Sequence, residues 1–172
     1  HRYRARKTGT QVAPESTTGS VKTASERVGI VERWKGNGMS DRPASLALHP
    51  LELDQVPILL CMIQEMALLI SLPHPVETTE SDIIRNYLNN TEGNALLIEL
   101  DSQIVGYVTW YRAIVSSSPV PMMHLDDIYI RREHRNQGIG KDVMSYLQNL
   151  AHSNGYRYLF WQVLKTNTSA LA

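Results

Sequence analysis

Cysteine is almost missing from this chain. Cys61 stands alone among 172 residues, which excludes an internal disulfide and fits a reducing compartment, the cytoplasm. A long apolar run is missing too. The richest stretch, Ile58 to Leu72, is interrupted by Gln64 and Glu65 and falls short of the ~20 residues that span a bilayer, so no membrane partner is expected. The opening residues do not read as a secretory signal. The six histidines show no metal-ligand spacing, and no metal is expected. There is no internal repeat, no Walker loop and no G-x-G-x-x-G fingerprint. Net charge is missing as well: 17 Lys and Arg balance 17 Asp and Glu. The balance hides an asymmetry. Residues 1–43 carry nine basic against four acidic side chains, and residues 44–172 eight against thirteen. The acidic second part disfavours nucleic acid as a partner and suits a cationic substrate.

What is present is one domain's worth of chain with ordinary apolar (42%) and charged (20%) content, enough to bury a core. Residues 1–43 are rich in Arg, Lys, Ser, Thr and Gly without apolar periodicity, which predicts a disordered basic tail. The chain opens on His1, and Lys35-Gly36 is encoded by purine-rich codons just ahead of Met39, where a bacterial ribosome-binding site would fall. Residues before Met39 therefore read as an upstream extension, outside the folded domain of 44–172.

From Ala44 the pattern is regular. Ser45–His49 alternates like a strand. Asp54 is placed to cap a helix with Pro57 in its first turn, and Val56, Leu59, Leu60, Ile63, Met66, Ala67 and Ile70 share one face of it. Thr79 and Asp82 have the spacing of a capping pair for a second helix through Tyr87 and Leu88. Ala95–Leu100 and Gln103–Tyr111 read as a hairpin about Asp101-Ser102. Met122–Ile130 reads as a strand, and Gly138–Asn154 as a helix with Ile139, Val143, Met144, Leu147, Leu150 and Ala151 on one face and Gly155 as its stop. Tyr158–Leu164 is a further strand, and Asn167-Thr168-Ser169 the cap of another helix. The fold class is α/β, a mixed and mostly antiparallel sheet flanked by helices. The strand–helix–strand unit 122–164 implies that its two strands run parallel. Cys61, inside the apolar run, reads as a core residue; Trp110, Tyr111 and Trp161 read as core or pocket wall.

The stretch HLDDIYIRREHRNQGIGK, His124 to Lys141, carries the chemistry. A strand runs into a basic turn, Arg135-Asn136-Gln137-Gly138-Ile139-Gly140, and then a helix. Free amides at a helix start, the helix dipole and glycines that permit close approach make an anion site, with Arg131, Arg132, His134, Arg135 and Lys141 adding charge.

Arg-x-x-Gly-x-Gly after an apolar strand resembles the pyrophosphate motif of the GNAT N-acetyltransferases. LPHPVETTESDIIRNYL, ALLIELDSQIVGYVTWY and LFWQVLKTNTSA resemble the diamine (spermidine/spermine-type) branch, so that the similarity spans roughly Leu46 to Ala172. The resemblance implies a GNAT-type acyl-CoA N-acyltransferase fold using acetyl-CoA as co-substrate. It places the pyrophosphate on main-chain amides of Asn136, Gln137, Gly138, Ile139, Gly140 and Lys141, beside Arg135. It lays the pantetheine arm along Ile128, Tyr129 and Ile130 like an added strand, where an amide polarises the thioester carbonyl. Asn167 matches the family's Asn near the cofactor arm.

Transfer to an amine needs the neutral nitrogen, and an alkylamine of pKa about 10.4 is almost wholly protonated at neutral pH. Asp126 stands where the branch carries a glutamate and is the expected base, directly or through a water. Strict alternation along the strand would put Asp127 on the opposite side of the sheet. The family's thiolate-protonating Tyr falls beyond Ala172, together with its last strands, so the chain reads as incomplete at its C-terminus; Tyr129 or water is then the alternative donor. On this reading Tyr158–Leu164 is a bare sheet edge, which invites association between copies, a homodimer at its simplest.

The expected reaction is acetylation of a primary amine of a small molecule: a polyamine, diamine or lysine-like compound. Two rivals are a protein lysine or N-terminal acetyltransferase and a non-catalytic acyl-CoA-binding module. The branch's acidic residue after its Glu-x-Ala segment is replaced here, since Leu68, Leu69 and Ile70 follow Glu65-Met66-Ala67.

Overall fold

The computed structural model describes residues 27–33, 46–89 and 93–164. Six strands form one sheet: β1 (Arg27–Arg33), β2 (Leu46–Pro50), β3 (Gly93–Leu100), β4 (Gln103–Ala113), β5 (Met122–Ile130) and β6 (Tyr158–Leu164), in the order β1-β6-β5-β4-β3-β2. Every neighbouring pair is antiparallel except β5 and β6, which run parallel around the crossover helix α3 (Ile139–Ser153). The helix α1 (Val56–Leu69) and the short α2 (Glu80–Ile83), which continues as a π-helical turn over Ile84–Leu88, lie between β2 and β3 in the chain.

Local chemistry explains these elements. A 3-10 turn (Leu53–Gln55) leads into α1, tied by the Glu52 N–H donating to the Gln55 side chain at 3.0 Å. Asp54 lies inside this turn and does not cap the helix; Gln55 takes the N-cap position, with Pro57 in the first turn as expected. Thr79 and Asp82 do form the predicted capping box, each side chain bonding the other's main-chain N–H. Asp101 and Ser102 both have positive φ (49° and 65°), the turn a two-residue hairpin needs. Gly155 (φ 73°) ends α3 in a Schellman arrangement: its N–H reaches His152 O, and Tyr156 N–H reaches Ala151 O.

The sheet divides the core in two. On the α3 face Ile139, Val143, Leu147 and Ala151 pack on Leu96, Val108, Leu125 and Leu159. On the α1 face Val56, Leu59 and Met62 pack on Leu97, Tyr107, Tyr129 and Ile83. Leu60, Ile63 and Met66 join only partly buried, and Cys61 is exposed, a correction to its expected core placement. Cys61 projects from the side of α1 away from the sheet because Met62, absent from the predicted face, takes the inward position.

Residues 27–33 depart from the expectation of a disordered tail over 1–43 and of an extension lying wholly outside the fold. They form β1 and pair with β6 from Arg27↔Leu164 to Arg33↔Tyr158. Val28, Ile30 and Val31 are β-branched, the type strands favour, and an open strand templates an antiparallel partner. β6 is thus not the bare edge expected from sequence. Asn167 and the helix predicted after it lie outside the described residues.

Candidate active site

Two bulges shape the centre of the sheet. Between β3 and β4 the register steps from Ile98↔Gly106 to Glu99↔Ile104, so Val105 is the extra residue. The adjacent Gly106 lies so close to β5 that a Cβ there would meet Tyr129 O at 2.2 Å, which is why no side chain fits. Between β4 and β5 the register steps from Thr109↔Asp127 to Trp110↔Leu125, which leaves Asp126 as the extra residue. This bulge overturns the expectation that Asp126 and Asp127 face opposite sides. Leu125 belongs to the α3-side core and Tyr129 to the α1-side core, four residues apart. One residue between them must break the alternation, and Asp126 does so, leaving both carboxylates on the α1 side. Their charges act together on Tyr87 and Tyr107, both packed on that side.

In front of Asp127 lies a cleft of about 550 Å³ between the C-terminal half of α1, the 70–78 loop and the sheet. Ile63, Met66, Ile70 and Val76 give it apolar walls, while Tyr107, Asp127, His74 and Glu77 supply polar groups. The buried Tyr107 hydroxyl donates to Asp127 Oδ2 at 3.3 Å. Burial, then the Asp127 charge, raise the Tyr107 pKa far above the ordinary phenol value, so it stays a donor. Half-buried Tyr87 is raised for the same reasons, burial first and then Asp126 and Asp127.

His124 belongs to this face and was not singled out in the sequence. Its ring stacks on Tyr111 (centroids 4.5 Å, 20°) and leans on Phe160 (4.8 Å). Burial pushes the imidazole below its ordinary pKa, and the Asp126 charge partly opposes this. Its position two residues before Asp126, on the face the bulge then extends, is the signal that could have found it.

Glu65 ties α1 to β5. It accepts from the Tyr129 hydroxyl at 2.9 Å and from Arg131 Nε and Nη2, both at 3.3 Å. Partial burial raises the Glu65 carboxyl, but the bonds from Tyr129 and Arg131 and the Arg131 charge outweigh it, and its pKa lies below the usual 4.5. Arg131 therefore serves α1 and not the basic turn, where sequence had placed its charge. The Tyr129 hydroxyl, committed to Glu65, is a poor choice as thiolate donor. Because its folded-state pKa is depressed, ionised Glu65 stabilises the fold above pH ~4.5, and the contribution is lost as pH falls through the folded pKa. Glu65→Gln should cost about 1 kcal/mol at pH 7, a value discounted because the carboxylate is about a third exposed. The gap from wild type in urea melts should close below pH ~4.5; a pH-independent gap would refute the assignment.

At the start of α3, Asn136 (φ 58°) and Gly138 (φ 78°) turn left-handed. The first helical bonds run from Lys141 and Asp142 N–H to Gly138 O, so the amides of Gln137 to Gly140 precede the ladder. Asn136, Gln137, Gly138 and Lys141 are exposed, as an anion cradle requires, while Ile139 anchors the turn in the core. Arg135 donates from Nε to Ile130 O at 2.7 Å and lies over the Tyr129 ring, so it holds the loop against the end of β5. Beside the loop, the β5–β6 ladder has two rungs, Met123↔Leu159 and His124↔Phe160. Past them, β5 from Asp126 to Ile130 pairs with β4 on one side and has no strand on the other among the described residues. A slot edged by main-chain groups and ending at a helix N-terminus fits a pantetheine arm and its pyrophosphate.

The family model described as the acetyltransferase (GNAT) family matches residues 63–172. The chain belongs to that family. This acetyltransferase is 27% identical over 119 residues to the thialysine N-epsilon-acetyltransferase of Caenorhabditis elegans, covering 69% of this chain and 73% of that one. Among solved structures it resembles an aminoglycoside acetyltransferase from an uncultured soil metagenomic sample in complex with sisomicin (21% identity, TM-score 0.63, 73% of this chain and 82% of that one). It also resembles an aminoglycoside N-acetyltransferase in complex with CoA (12% identity, TM-score 0.59, 77% and 86%). At these identities the structural likenesses speak for the fold. Among the described residues the acetyltransferase has no helix long and apolar enough to cross a membrane.

Proposed function

We propose that this acetyltransferase moves an acetyl group from acetyl-CoA to a primary amine of a small cationic molecule. The observation that carries this reading is the bulge at Asp126. It keeps two adjacent carboxylates on the α1 face of the sheet, Asp127 lining the apolar-walled cleft and Asp126 next to it in the chain, beside the open edge of β5. A cleft of about 550 Å³ is the size of small-molecule sites, and an ammonium group with an aliphatic body matches its chemistry. The thialysine-acetylating relative supports a lysine-like or diamine acceptor.

In this reading the amides of Asn136 to Gly140 hold the pyrophosphate, with Arg135 bracing the loop and the exposed Lys141 adding side-chain charge, since its own amide, expected from sequence to join them, is bonded to Gly138 O. Asn167 serves the cofactor arm. The edge formed by Ile128, Tyr129 and Ile130 seats the pantetheine, and an amide there polarises the thioester carbonyl. Asp127, held by Tyr107, attracts the ammonium, and Asp126 draws its proton directly or through a water. Acetyl-CoA supplies the activated acyl group.

The test is a panel of amines with purified protein and acetyl-CoA: spermidine, short diamines, lysine, thialysine, an aminoglycoside and a lysine-containing peptide. Diamines and lysine-like amines should be acetylated with the highest kcat/KM. Preference for the peptide would favour the protein-modifying rival, and CoA binding without turnover on any amine would favour the binding module.

A further inference from the structure

We propose that His124 is the acceptor on which the amine proton comes to rest, with Asp126 as the charge that steadies it. The inference deepens the acetyl-transfer reading and rests on it. His124 forms the last β5–β6 rung, at the point where the two strands part and where the slot reaches the α1 face. It precedes the bulged Asp126 by two residues, and the bulge leaves Asp126 and Asp127 on the same face of the sheet as His124. The ring is fixed by Tyr111 from β4 on one side and Phe160 from β6 on the other, and Nδ1 is buried, with no side-chain partner among the described residues. A ring held this firmly, with one nitrogen enclosed, exchanges protons through Nε2.

Proton affinity decides between the two residues as the final acceptor. With reference pKa values of about 10.4 for the amine, 6.5 for imidazole and 3.9 for an aspartate, moving the proton to an ordinary imidazole is uphill by about four powers of ten, and by more for His124, whose affinity burial lowers. Moving it to a carboxylate is uphill by about six and a half. The titratable groups facing the ring are Asp126 on its own strand, which favours the imidazolium, and Tyr111 on β4; Phe160 on β6 brings no charge. Burial pushes the imidazole pKa below its ordinary value, so His124 is neutral and ready to accept at pH 7. In the step, the ammonium N–H bond breaks and an imidazole N–H bond forms. The free amine is left beside an imidazolium–carboxylate pair of no net charge. Acetylation of an ammonium ion leaves one proton over per turnover, and the partly exposed His124 hands it to solvent.

The experiment compares His124→Gln and His124→Phe with wild type in kcat/KM against pH on the best amine of the panel. Phe keeps the stack between Tyr111 and Phe160 but cannot take a proton. Both variants should lose about 10²-fold near pH 7, recover above pH 9, where more of the amine is free, and lack the acid limb that the wild type shows. A His124→Phe protein with wild-type rate and profile would overturn the proposal and show that the ring is structural. A second readout needs no turnover. The His124 resonance in the NMR titration of the wild type, identified as the one missing from His124→Phe, should titrate at lower pH in Asp126→Asn. An unmoved resonance would overturn the pairing with Asp126. Wild-type protein inactive on every amine would refute the acetyl-transfer reading itself, an outcome distinct from an active enzyme indifferent to His124.

Discussion

Asp126→Asn should lower kcat/KM for amine acetylation by ~10²–10⁴-fold near neutral pH while leaving CoA affinity within a factor of about two. Asparagine fills the same space and can occupy the same bulge, so the ladder with Thr109 and Trp110 is kept. What it removes is a charge that acts on the α1 face, felt at Tyr87, Tyr111 and His124. Without it the ammonium has no anionic acceptor at the bulge and the imidazolium loses its counter-charge. The loss should shrink as pH rises toward the amine pKa of about 10.4, because the substrate then arrives deprotonated. Steady-state kinetics from pH 6 to 10 measure this. A variant with the wild-type rate and profile would remove Asp126 from the proton path and leave His124, Asp127 or a water chain as the base.

Gly138→Asp should weaken CoA binding by about 10²-fold or more, with Gly138→Asn as the control that separates charge from shape. Gly138 is left-handed, a conformation that costs most L-residues ~1–2 kcal/mol but that Asn and Asp tolerate best. Both variants therefore strain the turn similarly, and only one sets a carboxylate against a pyrophosphate. Two unit charges ~4–5 Å apart repel by about 3–4 kcal/mol at the effective dielectric of a protein surface. Calorimetric titration with CoA at two salt concentrations should show the Asp variant weaker than the Asn variant, with the gap narrowing at high salt. Equal affinities would mean that the phosphates sit elsewhere.

The sequence was most legible where a local rule acts alone. The Thr79–Asp82 box, the Asp101-Ser102 turn, the Gly155 stop and the strands 122–130 and 158–164 each depend on neighbours in the chain. The turn that leads into α3 was legible for the same reason. What the sequence hid depends on pairing across the sheet. A bulge is a mismatch between two strands, and nothing in LDDIYI tells which residue is the extra one, so strict alternation sent Asp126 and Asp127 to opposite faces. Arg131 looked like one of several loop cations until Glu65, far off in the chain, claimed it. Residues 27–33 lacked the context of a folded neighbour, and only the open side of β6 gives their β-branched run a use.

The two rungs between β5 and β6 also bear on how the molecule responds to load. Cooperativity spreads through a sheet by its ladders, and here β6 with β1 hangs on the other four strands by a short seam, backed by α3. Such a seam is a mechanical weak line, along which the two parts can breathe while each stays intact. An extended guest bridging the edges beyond His124 and Phe160 would lengthen the seam and stitch the halves together, so that filling the slot and stiffening the whole sheet become one event.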